Sequence, residues 1–431
     1  IVAGIPRSTH SYVHVVRQDP VRKGLLYAGT ENALYVSFDD GESWKPLNGA
    51  PRAPEPAPGS TVAPPAWWAG SLPHAPVYGV VVQPRFDDLV VATYGRGFWI
   101  LDDVTPLQQL TPEVQAKDAH LFAPRDAWRL WGIDAPMAVA DDPTVGQNPP
   151  PGASINFWLK ADAKDSIPLT ILDAAGKTVR TLKVAGKAGI NRAWWDLRFD
   201  PTKQARLWTA PENAPWVPLG KDGYRTAPDV GRIAILAPPG TYTVKLAVNG
   251  QEQTQPLVVR KDPNAGGSEA EIAQQMELLR DLRADLDTVV AAVNGLELVR
   301  GQLQGLKRTL AADSTVAAAS GSNRDLRTAA DSLDAKIRTV EEAIVQLRIT
   351  GRGQDLIRSP SRLGFRLQYL ADQVGSSDFA PTAPQREVHK LLHDEAMAVR
   401  TRYEALMKTD VPAFNERLRA RGAGSVVAER Q

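Results

Sequence analysis

The chain has 431 residues, a net charge of +1, 43% hydrophobic residues and no cysteine. This length predicts two to four domains, and the balanced charge argues against a nucleic-acid partner. The lack of cysteine excludes disulfides, thiolate metal sites and cysteine nucleophiles. No apolar run is long enough for a transmembrane helix, so the sequence predicts no membrane span.

Residues 1–112 contain an internal repeat of short strands joined by Gly, Asn or Asp turns. The predicted strands are Tyr12–Val16, Leu25–Thr30 and Ala33–Phe38 in the first copy, and Val77–Val82, Leu89–Thr93, Gly97–Leu101 and Leu107–Leu110 in the second. Such a meander cannot bury both faces alone, so it requires stacked neighbours. We interpret residues 1–112 as the last two blades of a β-propeller. Two blades do not close a ring, so the other blades lie upstream or on another chain.

An Asp-box motif, S-x-D-x-G-x-[ST]-W, follows the third strand of the first copy. Its residues are Ser37, Asp39, Gly41, Ser43 and Trp44. We expect the serine and aspartate to hydrogen-bond a tight turn, and the glycine to adopt a positive φ. The tryptophan is expected to fill the gap between neighbouring sheets. The motif therefore indicates a propeller and carries almost no information about activity.

Between and after the repeats the sequence is rich in proline. The insert Pro51–Pro65 precedes Trp67 and Trp68, which could stack on a sugar ring or pack between domains. Residues 113–150 are interpreted as a Pro-rich connector, and residues 151–262 alternate like an antiparallel sandwich. The hairpin signal Asn249-Gly250 lies in this segment, because both residues tolerate positive φ. We predict an immunoglobulin-like or fibronectin-like β-sandwich for residues 151–262.

Residues 268–420 have helical periodicity. A capping box begins at Ser268, and the apolar spacing after it predicts a helix of some forty residues. A second helix has an apolar heptad stripe from Leu326 to Leu347, and the segment Ala311–Ser322 joins the two. We predict a C-terminal antiparallel helical bundle that could mediate oligomerisation, followed by a flexible tail at residues 421–431.

With the Asp-box, residues 1–112 resemble the closing blades of exported bacterial BNR-repeat propellers of the sortilin-type, VPS10-like and glycosyl hydrolase-like families. The segments Gly24–Thr30 and Ala92–Asp103 look like those blades, and Trp195–Arg198 and Pro238–Val244 look like the strands that follow them. The resemblance implies export to the periplasm, cell surface or medium, and a protein about twice this length. The chain begins at Ile1 without methionine, so we expect a processed or truncated start.

Two local groups could carry glycan chemistry. Asp102 and Asp103 are adjacent, so on a strand they point to opposite faces and cannot form a glycosidase pair alone. A sialidase-like site needs an arginine cluster and a tyrosine nucleophile, and Tyr94 beside Arg96 in a Gly-flanked turn offers one of each. Arg96 could instead bond backbone carbonyls between blades. We therefore treat Tyr94, Arg96, Trp67 and Trp68 as ligand-binding candidates only.

The histidines do not predict a metal site. His10 and His14 lie on a predicted strand, where that spacing gives no shared helical face. His389 and His393 share a helical face, but the segment lacks the glutamate of the metalloprotease motif. We interpret that face as solvated, and we predict no metal and no cofactor.

Three functions stay open. The first is an exported propeller that binds or scaffolds, recognising a peptide, protein or glycan, with no complete catalytic site in this portion. The second is a glycan-acting hydrolase, BNR/sialidase-like or xyloglucanase-like, whose catalytic residues lie in upstream blades. The third is a structural surface or envelope component with a fixed partner. We favour the first, and whether the whole protein is an enzyme stays open.

Overall fold

The chain is mixed β and α, with many strands followed by C-terminal helices. The computed structural model describes residues 3–9, 11–47, 72–130, 148–312, 321–351, 355–422 and 424–428. Two compact units form: one contains Ile1–Phe199 and Ala237–Ala265, and the other contains Asp200–Leu236 and Gly266–Gln431. Within the described residues, no helix is long and apolar enough to cross a membrane.

Two antiparallel meanders open the first unit. The first sheet has the order β1-β2-β3-β4, and its strands are Val13–Gln18, Leu26–Thr30, Leu34–Ser37 and Lys45–Pro46. The second sheet has the order β5-β6-β7, and its strands are Val77–Gln83, Asp88–Thr93 and Phe98–Leu101. Strands β1 and β2 contact β5. A shared buried core joins the sheets, and it includes Val15, Tyr27, Val77 and Val91.

The expected fourth strand of the second copy, Leu107–Leu110, is wrong. Thr105–Gln109 instead form a short helix, α1, followed by helix α2 at Pro112–Ala116. Pro106 lies in the first turn of α1, where its missing N–H costs no hydrogen bond and its fixed φ suits a helix. Leu107 still lies in the buried core, so the apolar side of this segment was predicted correctly, whereas its backbone is helical and not extended.

Two further sheets complete the first unit. One has the order β13-β10-β8, with β8 at Ala119–Leu121, β10 at Ala153–Leu159 and β13 at Gly189–Trp195. The other has the order β12-β11-β16-β17-β9, with β9 at Ala127–Arg129, β11 at Ile167–Leu172, β12 at Thr178–Val184, β16 at Gly240–Val248 and β17 at Gln251–Lys261. Trp195 of the first contacts Tyr242 of the second, with ring centroids 5.2 Å apart.

The segment expected as a connector, 113–150, contributes to both sheets. Strand β8 pairs antiparallel with β10, and β9 pairs parallel with β17. Residues 200–236, which the sequence placed in the sandwich, cluster with the helices instead. They contain β14 at Arg206–Leu207 and β15 at Arg225–Thr226, which pair with each other. The backbone of Arg206 is held by the side chain of Asn294 on the long helix, 2.7 Å away.

Helices form most of the second unit. They are α3 at Glu269–Ala312, α4 at Gly321–Ile344, α5 at Asp355–Arg358, α6 at Leu363–Val374, α7 at Ala383–Ala405 and α8 at Val411–Arg419, with a π-helical turn at Leu406–Asp410 between the last two. The Ser268–Glu271 capping box is present at the start of α3, and a second capping box begins α7 at Thr382. Helix α3 contacts α4, α6 and α7, so the apolar stripe of α3 is covered within the unit.

The expected flexible tail, 421–431, is partly wrong. Val426 is buried, and its backbone N–H and C=O both bond the Asn415 side chain, at 2.8 and 2.9 Å. Val427 donates to Gln302 of α3 at 3.0 Å. The tail residues alone gave no sign of these bonds, because the amide partners lie outside the tail, Asn415 on α8 and Gln302 on α3.

Candidate binding surface

The Asp-box forms a tight turn after β3. The Ser37 hydroxyl accepts from the Gly41 N–H at 2.9 Å and donates to Asp39 at 2.7 Å. The backbone and hydroxyl of Ser43 both donate to Asp39. Together these bonds lower the pKa of Asp39 to about 2, and the bond from the Ser43 side chain has the largest effect. Gly41 has φ +91°, a conformation that side chains rarely allow.

Trp44 packs on the face of the first sheet that lies away from the shared core. It is 8% exposed, and its cluster contains Ile5, Ala28 and Tyr35. Its indole N–H donates to the Gly41 carbonyl at 3.2 Å. The turn and the tryptophan thus fasten this sheet.

A row of aromatic side chains crosses from the first sheet to the second. His14 lies edge-on to Tyr12 at 4.9 Å and stacks on Tyr78 at 4.1 Å, and Tyr78 contacts Tyr94 at 5.8 Å. His14 also bonds Glu31 at 2.7 Å. We call Tyr12, His14, Tyr78 and Tyr94 the aromatic row. Tyr94, a candidate from the sequence, ends the row and is 72% exposed.

Arg96 follows in the turn between β6 and β7. Gly95 and Gly97 have φ values of +75° and +72°, which explains why glycine flanks the arginine on both sides. The Arg96 carbonyl accepts from the Trp99 indole at 2.9 Å. Within the described part of the chain its guanidinium is exposed and has no hydrogen-bond or ion-pair partner. The alternative of a bridge to carbonyls of a neighbouring blade is therefore not made by the described residues.

The outward side of the second sheet is apolar and open to solvent. It presents Tyr78, Val81, Phe98 and Ile100, which we call the outer apolar face. Phe98 and Ile100 are 79% and 61% exposed, whereas the alternate positions Leu89 and Val91 are buried. Soluble proteins rarely expose contiguous apolar patches of this kind unless another surface covers them.

The carboxylate pair considered from the sequence is not an accessible catalytic pair. Asp103 is fully buried, and its oxygens accept from Asn156 at 2.9 Å, from Thr105 at 2.6 Å and from Ser154. It has φ +55°, so it departs from the extended backbone of strand β7. Burial raises the pKa of Asp102. Asp103 therefore fastens strand β10 to the end of β7.

The first unit also contains a cavity of about 770 Å³ lined by charged and aromatic residues. Two of its arginines already serve the fold. Arg22 donates to the carbonyls of Leu107 and Leu110 at 2.9 and 2.8 Å, and Arg125 pairs with Asp88 at 2.9 Å. Lys23 and Arg85 also line the cavity, and Arg85 lies over the rings of Phe86 and Trp128.

A buried ion network lies in the second unit. Arg300 bonds Glu297 and Glu341 at 2.7 Å each and Asp334 at 3.0 Å, and Thr209 donates to Glu297 at 2.8 Å. Burial raises the pKa of Glu297 and of Glu341. The sequence did not predict this network, because Asp334 and Glu341 lie on a different helix from Arg300. The sequence does contain one sign of the network, because Glu297 and Arg300 lie within the apolar heptad pattern of α3.

His389 and His393 differ from the solvated face that the sequence predicted. His389 Nε2 lies 3.1 Å from one oxygen of Asp285, and His393 Nδ1 lies 2.8 Å from the other. The Asp285 side chain is 5% exposed, so the group sits at the edge of the bundle core. Because 104 residues separate Asp285 from His389, no local pattern could reveal the pairing.

Trp67 and Trp68 lie outside the described residues, as does His10. Tyr94 and Arg96 are thus the ligand-binding candidates that the structure places, and Tyr94 extends a larger surface that the sequence did not predict. No protein-family model matches the chain, and comparisons with curated proteins and with solved structures give no match either.

Proposed function

We propose that this chain is the binding and scaffold portion of an exported β-propeller protein, in which the β1–β4 and β5–β7 sheets are successive blades. Its outer apolar face packs against a further sheet of the same kind, on the same polypeptide or on another chain. A protein, peptide or glycan is then recognised at Tyr94, the exposed end of the aromatic row, and at Arg96. The observation that carries the proposal is the exposure of Phe98 and Ile100 on the outer apolar face.

Burial of this face would contribute substantially to association. Fully burying a large apolar side chain contributes about 1.5–3 kcal/mol, and Tyr78, Val81, Phe98 and Ile100 present four of them. Part of that gain is offset by the entropy lost on association. An apolar face of this composition suits a packed sheet better than it suits a sugar, which needs polar partners for its hydroxyl groups.

The kind of partner follows from the interface already present. The first sheet covers one side of the second through alternate apolar residues such as Val77 and Val91. The other alternate set, Val81 and Ile100, repeats that composition on the opposite side. A further meander stacked in the same manner would continue the series, as blades do in a propeller.

The remaining parts support a scaffold. The sheets β13-β10-β8 and β12-β11-β16-β17-β9 contact at Trp195 and Tyr242, an arrangement compatible with an immunoglobulin-like or fibronectin-like sandwich. Helix α3 contacts α4, α6 and α7, an arrangement compatible with an antiparallel bundle, and such a bundle is a candidate for oligomerisation. Such elements would position the propeller relative to its partner.

The sheet-stacking proposal is tested with the variant F98S/I100S. We expect the wild-type chain to associate with increasing concentration in sedimentation experiments, and to enhance the fluorescence of an apolar dye. The variant should lose both properties while its circular dichroism and Tm stay unchanged. V21S/L130S, which changes two exposed apolar residues outside the face, is the matched control and should behave as wild type. A wild-type chain that stays monomeric and binds no dye would refute the proposal.

The ligand part is tested with a panel of soluble polysaccharides. Binding that is lost in Y94A or R96A and retained in the control V21S/L130S would assign a glycan to the aromatic row. Absence of glycan binding would leave a peptide or protein as the ligand. Release of reducing sugar by the chain would overturn the binding function in favour of a hydrolase whose catalytic residues lie in this portion.

A further inference from the structure

We propose that Asp285, His389 and His393 form a binding site for a divalent transition-metal ion such as Zn²⁺, with at least one coordination position open to solvent. The site lies within the helical unit and is independent of the function proposed for the β-sheets. One carboxylate and two imidazoles are a donor set that Zn²⁺ and similar ions prefer.

Two helices position the three donors. Asp285 lies in α3, and His389 and His393 lie on α7, one helical turn apart. Because residues at i and i+4 share a helical face, both imidazoles project toward the same neighbour. Helices α3 and α7 are in contact, so the donors rest on regular backbone and not on loops. Sites built on such elements hold their geometry well.

The distances suit a metal. One donor atom from each of the three residues lies within 4.8 Å of the other two. For bonds of about 2.0–2.2 Å in a tetrahedral site, donor atoms are roughly 3.4 Å apart. His389 Nε2 and His393 Nδ1 lie 3.1 Å and 2.8 Å from different oxygens of Asp285, and both separations are slightly shorter than that. A small outward rotation of the imidazoles would therefore admit the ion.

The charge balance also favours a cation. Asp285 is almost buried, and within the described residues it pairs with no lysine or arginine, only with the two histidines. A buried carboxylate is costly unless an opposite charge compensates it. Neutral imidazoles, the form that binds metals, supply hydrogen bonds but no positive charge. A divalent ion would supply the missing charge.

An ion can reach the three donors from solvent on the His393 side of the site. Its side chain is 46% exposed, whereas that of His389 is 15% exposed. An ion held by three protein ligands would therefore complete its coordination with water. Three ligands and an open position distinguish this arrangement from closed structural zinc sites, which have four protein ligands. The simpler alternative is a hydrogen-bonded clamp in which Asp285 joins two histidines without any metal.

The experiment is calorimetric titration of the untagged, chelator-treated full chain with Zn²⁺, with Co²⁺ absorption as a second readout. We expect one equivalent to bind, to raise the Tm, and to give Co²⁺ bands typical of low coordination number. D285N, H389Q and H393Q should each weaken binding by at least about 10–100-fold, since losing even a hydrogen-bond partner of a ligand has that effect.

The controls separate the site from general effects. D394N removes a carboxylate on the same helix that pairs with Lys390, and H120Q removes a part-buried imidazole in the other unit. Both should bind Zn²⁺ like the wild type. Because His393 is the most exposed of the three donors, H393Q is the variant expected to fold normally. Failure of the wild type to bind Zn²⁺ or Co²⁺, or unchanged binding by a folded H393Q, would leave the hydrogen-bonded clamp as the explanation and overturn the proposal.

Discussion

Replacement of Arg300 by methionine should strongly destabilise the helical unit. Arg300 is the shared cation of Glu297 and Glu341, both fully buried, and the bonds are 2.7 Å long. Methionine preserves volume but leaves two carboxyl groups buried without a positive charge. Breaking a buried pair in this way costs about 3–5 kcal/mol. This is a large fraction of the roughly 5–15 kcal/mol that stabilises a typical domain.

The loss should depend on pH. Burial raises the pKa of Glu297 and Glu341 above the ordinary value of 4.5, and Arg300 opposes that rise. A carboxyl whose folded pKa is raised binds its proton more readily in the folded state than in the unfolded state. Its contribution to stability therefore falls as pH rises from about 4.5 through the folded pKa. Without Arg300 both values rise further, so the cost of R300M should be larger at about pH 8 than at about pH 5.

Urea unfolding followed by far-ultraviolet circular dichroism measures both effects. The matched control is R366M, because Arg366 makes an exposed ion pair with Glu395 and such pairs contribute about 0–1 kcal/mol. A double variant, R300M/E341Q, should recover part of the loss because one buried carboxyl becomes neutral. The reasoning fails if R300M costs no more than R366M, or if its cost is the same at both pH values.

Two further predictions concern the first unit. Asp103→Ala should lower the free energy of unfolding by about 1–3 kcal/mol, because the buried amide of Asn156 loses its acceptor. The control is Asp126→Ala, which changes a half-exposed carboxylate and should alter the free energy of unfolding little. Equal effects of the two variants in urea unfolding would contradict this assignment. Gly41→Ala should lower the free energy of unfolding by on the order of 1–3 kcal/mol, because alanine is strained at φ +91°. Glu42→Ala in the same turn is the control. An unchanged Tm for Gly41→Ala would argue against the Asp-box turn as a stabilising element.

Features encoded by contiguous residues were predictable from the sequence. The Asp-box turn depends on residues 37–44, so its polar and glycine positions can be read directly. The long helix α3 was expected as some forty residues from its apolar spacing and capping box, and the structure places it at Glu269–Ala312. The mixed β and α organisation was predictable because the apolar spacing changes from strand-like to helical before α3.

Features that depend on distant pairings were not predictable. Residues 200–236 have two very short strands and no clear period, so nothing local shows that they pack on α3. The strand expected at Leu107–Leu110 is helical because Pro106 lies in the first helical turn, where its fixed φ suits a helix. In both segments tertiary contacts decided the backbone conformation.

Helix α3 offers an internal comparison that bears on the metal site. It buries two carboxylates twelve residues apart, which is about 18 Å along the helix axis. Glu297 is compensated by Arg300, while Asp285 has only His389 and His393. If R300M shows that a carboxylate left without a cation in this core is costly, a Zn²⁺ ion at Asp285 would relieve a cost of the same kind when the two imidazoles are neutral. A large loss in R300M, together with a Zn²⁺-dependent rise in Tm that D285N abolishes, would tie both observations to one physical cause.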